Sequence, residues 1–104
     1  MKDKFISFLG IAKKAGKCLE GYNKCEDSIK KGNCHLLIVS RESSENTKDK
    51  FKTLCDIRNT PMIIYYSKDD LSNILGKEGI NIVGISDLSI AKRLMDLWND
   101  MNIN

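Results

Sequence analysis

The sequence predicts an α/β fold: a three-layer α/β/α sandwich built on a four-stranded mixed sheet with about five helices. Two observations carry that prediction. Stretches with helical and strand periodicity alternate along the chain, and three apolar runs, at 35–40, 62–66 and 81–85, have strand length and no polar face. At 104 residues, with no repeat, linker or low-complexity tract, residues 1–104 should form a single domain with its own core.

Each element has local grounds. Over 4–15, Phe5, Phe8, Leu9 and Ala12 recur at helical spacing, Ile11 and Ala15 widen the stripe, and Gly16 ends it. Residues 17–20 read as a short strand. Asn23 opens a second helix, with Glu26 completing a capping-box pattern, and Gly32 closes it after Lys30 and Lys31. The 35–40 run is a central strand. Ser43 or Ser44 caps the next helix, where Thr47, Phe51, Leu54, Cys55 and Arg58 keep the period until Asn59-Thr60-Pro61 breaks it. The 62–66 run is a second buried strand. Ser67 and Asp70 form a capping pair for a short helix through Leu71, Ile74 and Leu75, closed by Gly76. A loop leads into the strand at 81–85. Ser86 or Asp87 then caps a last helix carrying Leu88, Ala91, Leu94, Met95, Trp98 and Met101.

Composition narrows the function. No apolar run is long enough to cross a membrane, and the residues following Met1 lack an export signal's apolar segment, so the expectation is a cytoplasmic protein. Cys18, Cys25, Cys34 and Cys55 show neither a C-x-x-C pair nor metal-ligand spacing and read as reduced, mostly buried residues. His35, the single histidine, stands at the lip of a strand without a catalytic motif around it. No glycine-rich phosphate loop, dinucleotide fingerprint or nucleophile–base pair is present. The chain therefore reads as a non-enzyme with no cofactor and no small-molecule substrate.

Charge gives the positive indication. Residues 1–34 carry +4 and the remainder −1, so the excess sits in the first third. Such asymmetry suits a polyanion, although one solvated lysine face gives the same pattern. Within that third lies 21–32, where a glycine precedes a helix start and Lys13, Lys14, Lys17 and Lys24 lie nearby in sequence. An open helix start offers unpaired N–H groups to phosphates and base edges, and glycine permits close approach. The same residues also make an ordinary capped helix. In a sandwich, the turns at 21–24 and 40–43 and the loop at 77–81 gather at one end. Arg41 would add a cation there. Ile80 would either pack on an unstacked base or fold back on the core.

The stretches 9–17, 21–24 and 30–32, followed by Leu36-Leu37-Ile38-Val39-Ser40, resemble the kink-turn-binding ribosomal protein superfamily, which includes the large-subunit proteins of the "seven Ae" and "thirty e" types. The chain is most similar to its bacterial YlxQ-like branch, and the likeness extends weakly to Asn59-Thr60-Pro61 and to 83–87. The resemblance implies an α/β/α sandwich that grips a sharply bent RNA internal loop with sheared G·A pairs. It assigns the G·A contacts to Gly21 and Asn23, a basic contact to Lys31, and the cover over a flipped-out base to residues 79–81. Two positions depart from the family pattern: Lys24 stands where a glutamate is usual, and Asp27 where a lysine is usual. The reading is thus an RNA-binding protein for ribosomal or other structured RNA, with the ribosome as a candidate partner, contacting RNA through Lys13, Lys14, Lys17, Gly21, Asn23, Lys24, Lys31, Arg41 and Ile80. The alternative is a protein-interaction adaptor that uses the acid-containing far face and the exposed part of the last helix near Trp98 and Met101.

Overall fold

The computed structural model describes residues 3–101. Its elements follow the predicted alternation: α1 (Lys4–Lys14), β1 (Cys18–Glu20), α2 (Tyr22–Lys30), β2 (Leu36–Val39), α3 (Glu45–Arg58), β3 (Met62–Ile64), α4 (Lys68–Leu75), β4 (Ile82–Ile85) and α5 (Leu88–Met101). The strands form one mixed sheet in the order β1-β4-β2-β3. β4 is antiparallel to both neighbours, with Glu20 opposite Val83 and Val39 opposite Ile82, while β2 and β3 run parallel across the α3 connection.

The period-two pleat divides the apolar runs between two cores. Leu36 and Ile38 of β2 and Val83 and Ile85 of β4 pack against Phe5 and Leu9 of α1, Leu71 and Leu75 of α4, and Leu94 of α5. Leu37, Val39 and Ile82 face the other way, against Cys25 and Ile29 of α2 and Phe51 and Cys55 of α3. Two helical layers thus enclose the sheet, as predicted. Cys25, Cys34 and Cys55 are buried and all four cysteines are free thiols. Burial pushes the thiols of Cys25 and Cys55 up to about 12, which leaves them poor nucleophiles.

The run at 62–66 departs from its expected role. It lies at the sheet's edge, not between two strands, and only Ile63 of its strand is buried. Pro61 suits that position because a residue without an N–H is best placed where a strand lacks a partner. The ladder stops at Ile64. Tyr66 then stacks on Phe5 with ring centroids 5.4 Å apart, and its hydroxyl donates to Asp3 Oδ2 at 2.8 Å. The surface near Trp98 and Met101 is correspondingly reduced. Trp98 meets Phe5 and Tyr65 edge-on, at 5.8 and 5.3 Å, and Met101 packs on the same core.

Gly84, in the middle of β4, has a packing reason for lacking a side chain. A Cβ there would stand 2.9 Å from Cys34 Sγ and 3.5 Å from Cys25 Sγ. Both sulfurs are buried, and each donates to a backbone carbonyl: Cys34 to Leu36 at 3.3 Å and Cys25 to Leu19 at 3.2 Å. Gly84→Ala therefore overpacks the α2 side of the sheet and should lower the unfolding free energy by about 1–3 kcal/mol. Urea denaturation of the two proteins measures this; an unchanged midpoint would show that the sulfurs yield freely.

Candidate nucleic-acid interface

Because β4 runs against β1 and β2, its first residue lies level with their last ones. Three loops therefore meet at one edge of the sheet. The Gly21 N–H donates to the Ile82 carbonyl at 3.1 Å, and the Ser40 N–H donates to the Asn81 carbonyl at 2.7 Å. The buried Ser40 hydroxyl adds a 2.7 Å bond to Asn81 Oδ1. Between the loops lies a cleft of about 300 Å³ whose lining includes Gly21, Tyr22, Ser43, Gly79, Ile80 and Asn81.

Helix α2 starts at this cleft, and its start differs from the others. Asp3, Ser44, Ser67 and Asp87 each accept a first-turn N–H of α1, α3, α4 and α5 respectively. In α2 the capping position is Gly21, with no side-chain cap. Its φ of +106° and ψ of 159° lie where an L side chain is strained, and a Cβ there would meet nothing within 4 Å. The capping box expected of Asn23 and Glu26 does not form. The helix opens one residue earlier, at Tyr22, which leaves Asn23 inside the first turn and exposed, without a side-chain hydrogen bond among the described residues. Glu26 instead pairs with Lys50 at 2.8 Å and Lys30 at 3.1 Å. Lys50 also lies over the Tyr22 ring, 4.9 Å from its centroid, and Phe51 meets that ring edge-on at 5.0 Å.

The lysines are distributed unevenly around this start. Lys24 is exposed in the first turn and makes no ion pair among the described residues. Lys13 reaches Glu20 Oε2 at 2.6 Å, and Lys77 reaches Glu20 Oε1 at 3.3 Å, so both ammonium groups gather at the side chain of the residue before Gly21. Lys14 is exposed at the last residue of α1. Lys17 lies at the far end of β1, where its carbonyl accepts from the Ser86 N–H and hydroxyl. Lys31 is at the carboxyl end of α2, roughly 15 Å from Gly21 at the helical rise, and pairs with Asp27 at 3.0 Å. Arg41 leans towards β3 and donates to the Tyr65 carbonyl at 3.3 Å. Ile80 takes the second of its two expected positions: it is 8% exposed and packs in the α1–α4–α5 core while lining the cleft.

Residues 3–93 match the family described as "Ribosomal protein L7Ae/L30e/S12e/Gadd45 family". The chain belongs to this family. Among its relatives, "RNA-binding protein YlxQ" of Enterococcus faecium is 27% identical over 96 residues, spanning 92% of each chain. "RNA-binding protein YlxQ" of Bacillus subtilis (strain 168) is 26% identical over 93 residues, covering 89% of this chain and 93% of the relative. A Bacillus halodurans protein of unknown function has the same fold, with a TM-score of 0.90 at 24% identity, covering 94% of this chain and 99% of that one. Among the described residues of this family member, no helix is long and apolar enough to cross a membrane, and no group of ligating side chains could hold a metal ion.

Sequence reading missed Glu20 and Lys77. Glu20 closes the predicted strand at 17–20 and Lys77 opens the loop at 77–81, but neither stands out as a contact residue, and only the antiparallel pairing of β1 with β4 brings that loop beside Glu20. The Glu20 side chain is 7% exposed. Burial alone would push its carboxyl up, but the bonds from Lys13 and Lys77 outweigh burial and hold it below the ordinary carboxylate value. Its contribution to stability is therefore complete above the unfolded value of about 4.3 and is lost as pH falls through the lower folded value. The stability gap between the native protein and Glu20→Gln should stay constant near neutral pH and narrow below about pH 4. Urea midpoints measured from pH 7 to pH 3 test this, and an equally wide gap at pH 3 would refute it.

The absence of a cap at Asn23 has its own consequence. Asn23→Ala should change the unfolding free energy by no more than about 0.5 kcal/mol, as expected of an exposed residue outside any cap. A loss of about 1 kcal/mol or more in thermal or urea unfolding would restore the capping role.

Proposed function

We propose that this protein is a non-enzymatic cytoplasmic RNA-binding protein that recognises a kink-turn-like element, in ribosomal or other structured RNA, at the amino end of α2. The observation that carries this reading is the open start of that helix. It is the one helix among the described elements that begins on a glycine at positive φ without a side-chain cap, and it opens into a cleft formed by three loops. Membership of a ribosomal-protein family and the names of the two YlxQ relatives support an RNA partner.

In this reading the first-turn N–H groups and the Asn23 amide meet the edges of the sheared pairs, and Gly21 lets the nucleic-acid backbone come close. Lys24 and Lys13 hold the phosphates nearest the bend. Lys14, Lys17, Lys31 and Arg41 lie further out and meet phosphates of the flanking stems, which adds affinity without sequence preference. Ile80 acts from within, as an apolar floor to the cleft where a splayed base can lie. A protein-interaction adaptor is the weaker reading, because Trp98 and Met101, the apolar residues it would use, are partly buried against the core.

Titration of a kink-turn RNA and an unrelated hairpin at several salt concentrations tests the proposal. The kink-turn should bind more tightly at every salt concentration. Asn23→Ala should reduce that preference by about 1–3 kcal/mol, and Lys24→Ala should lower the salt slope by about one. Equal affinity for both RNAs would remove the specificity, and binding insensitive to salt would remove the lysine contacts.

A further inference from the structure

We propose that Glu20 is a positioning residue for the RNA site: its carboxylate clasps Lys13 of α1 and Lys77 of the loop before β4, holding two cations together at the end of β1 and fixing the loop that lines the cleft. The inference rests on the RNA-binding reading and adds two residues to it, Glu20 as the clasp and Lys77 as a phosphate contact.

The geometry is specific. Each carboxylate oxygen takes one lysine, Oε2 at 2.6 Å from Lys13 Nζ and Oε1 at 3.3 Å from Lys77 Nζ. The acid lies inside, its side chain 7% exposed, whereas the lysine side chains remain 37% and 60% exposed. An ammonium group has three N–H donors, and the clasp occupies one of each, so the others remain directed at solvent where a phosphate oxygen can accept them. Glu20 immediately precedes Gly21, whose N–H is fixed to the Ile82 carbonyl. The clasp is therefore registered to the start of α2 through one peptide unit. Lys77 also leads into the segment that ends with Gly79, Ile80 and Asn81 on the cleft wall. That segment has other ties: the Lys77 N–H to the Ser72 carbonyl at 3.1 Å and the Ile80 N–H to Ser72 Oγ at 3.0 Å. Ile80 packs in the core beside α1, and Glu20 adds a charged tie from Lys77 to β1 and α1.

Charge alone predicts the opposite behaviour from positioning, which makes the idea decidable. Glu20 is an anion beside a polyanion site, so neutralising it should tighten every RNA equally if it acts only through its field. If it acts as a clasp, neutralising it releases both lysines and the loop, and the structured target loses more than a plain duplex does.

The test uses Glu20→Gln, Lys77→Met and the double variant, each checked for native circular dichroism. In the free protein, amide exchange at Ile80 and Asn81 should accelerate about tenfold in both single variants. Glu20→Gln should weaken kink-turn RNA about tenfold and leave a duplex of equal length unchanged or slightly tighter. Lys77→Met should weaken the same RNA, and the double variant should be little worse than either single one, because both remove the same contact. Unchanged exchange, or kink-turn binding by Glu20→Gln as tight as native, would overturn the clasp. Should the native protein show no preference for the kink-turn, the proposed function fails, and the exchange measurements alone then decide whether Glu20 holds the loop. Should Glu20→Gln not fold, amide exchange at Ile80 and Asn81 in Lys77→Met decides: acceleration supports the clasp, and unchanged exchange overturns it.

Discussion

The antiparallel insertion of β4 between β1 and β2 is the constraint on which the rest of this structure depends. In a wholly parallel sheet, the start of one strand and the ends of its neighbours would lie at opposite edges. Here they coincide: the Gly21 N–H bonds to the Ile82 carbonyl at 3.1 Å, and Ser40 bonds to Asn81 through its N–H and its hydroxyl, each at 2.7 Å. The same register exposes a demand in the middle of β4. Gly84 lies opposite both Leu19 and Leu37, and the sulfurs of Cys25 and Cys34 occupy the space a side chain would need. The strand that assembles the cleft thus also fixes how closely α2 packs, so the position of the α2 start is set by the core and not by the surface.

Within this fold, the charge distribution has a different meaning from its simple count. The first third of the chain carries most of the positive excess, but much of it is answered locally: Lys13 by Glu20, Lys30 by Glu26 and Lys31 by Asp27. Exposed pairs of the last two kinds are weak and dissolve readily when a phosphate offers a better partner. The Glu20 pair differs because its acid is enclosed. Removing that acid leaves two lysines without an anchor, whereas removing either lysine leaves an enclosed carboxylate with half its partners.

Most of the fold was legible because it follows from short-range rules. Helical periodicity, serine and aspartate caps and breaking glycines placed every element to within a few residues, and Ser44, Ser67 and Asp87 cap the helices expected of them. The errors arose where a local rule met a long-range one. Met62–Ile64 looked as apolar as a central strand, but strand order, which no local pattern carries, put it at the edge. Asn23 had the spacing of a cap, but the Gly21 N–H is held by Ile82, sixty-one positions away, and that bond moves the helix start back by one residue. Of the candidate site, Gly21, Asn23 and Lys24 could be read from the chain as neighbours. Lys31 could be placed at the closing end of the same helix, where it stands. Glu20 and Lys77 could not be paired without the sheet.

Lys24 shows most directly why an unfilled helix start points outward to a ligand. The positive end of a helix dipole favours acids and disfavours cations by about 0.3–1 kcal/mol in the first turn. The first turns of α3 and α4 follow that rule with Glu45 and with Asp69 and Asp70, whereas α2 has no acid there and carries Lys24. The acid at position 27 does not correct this, because it pairs with Lys31 towards the other end of the helix. For the free protein, then, the start of α2 combines a missing cap, a glycine at positive φ and a cation at the wrong pole. Each of these small penalties changes sign when a phosphate lies at the helix start: the free N–H groups gain an acceptor, the glycine gives the room, and the lysine gains its counter-ion. A helix start arranged this way is poorly fitted to solitude and well fitted to an anion, and the loops fixed around it by β4 give that anion a shaped place to dock.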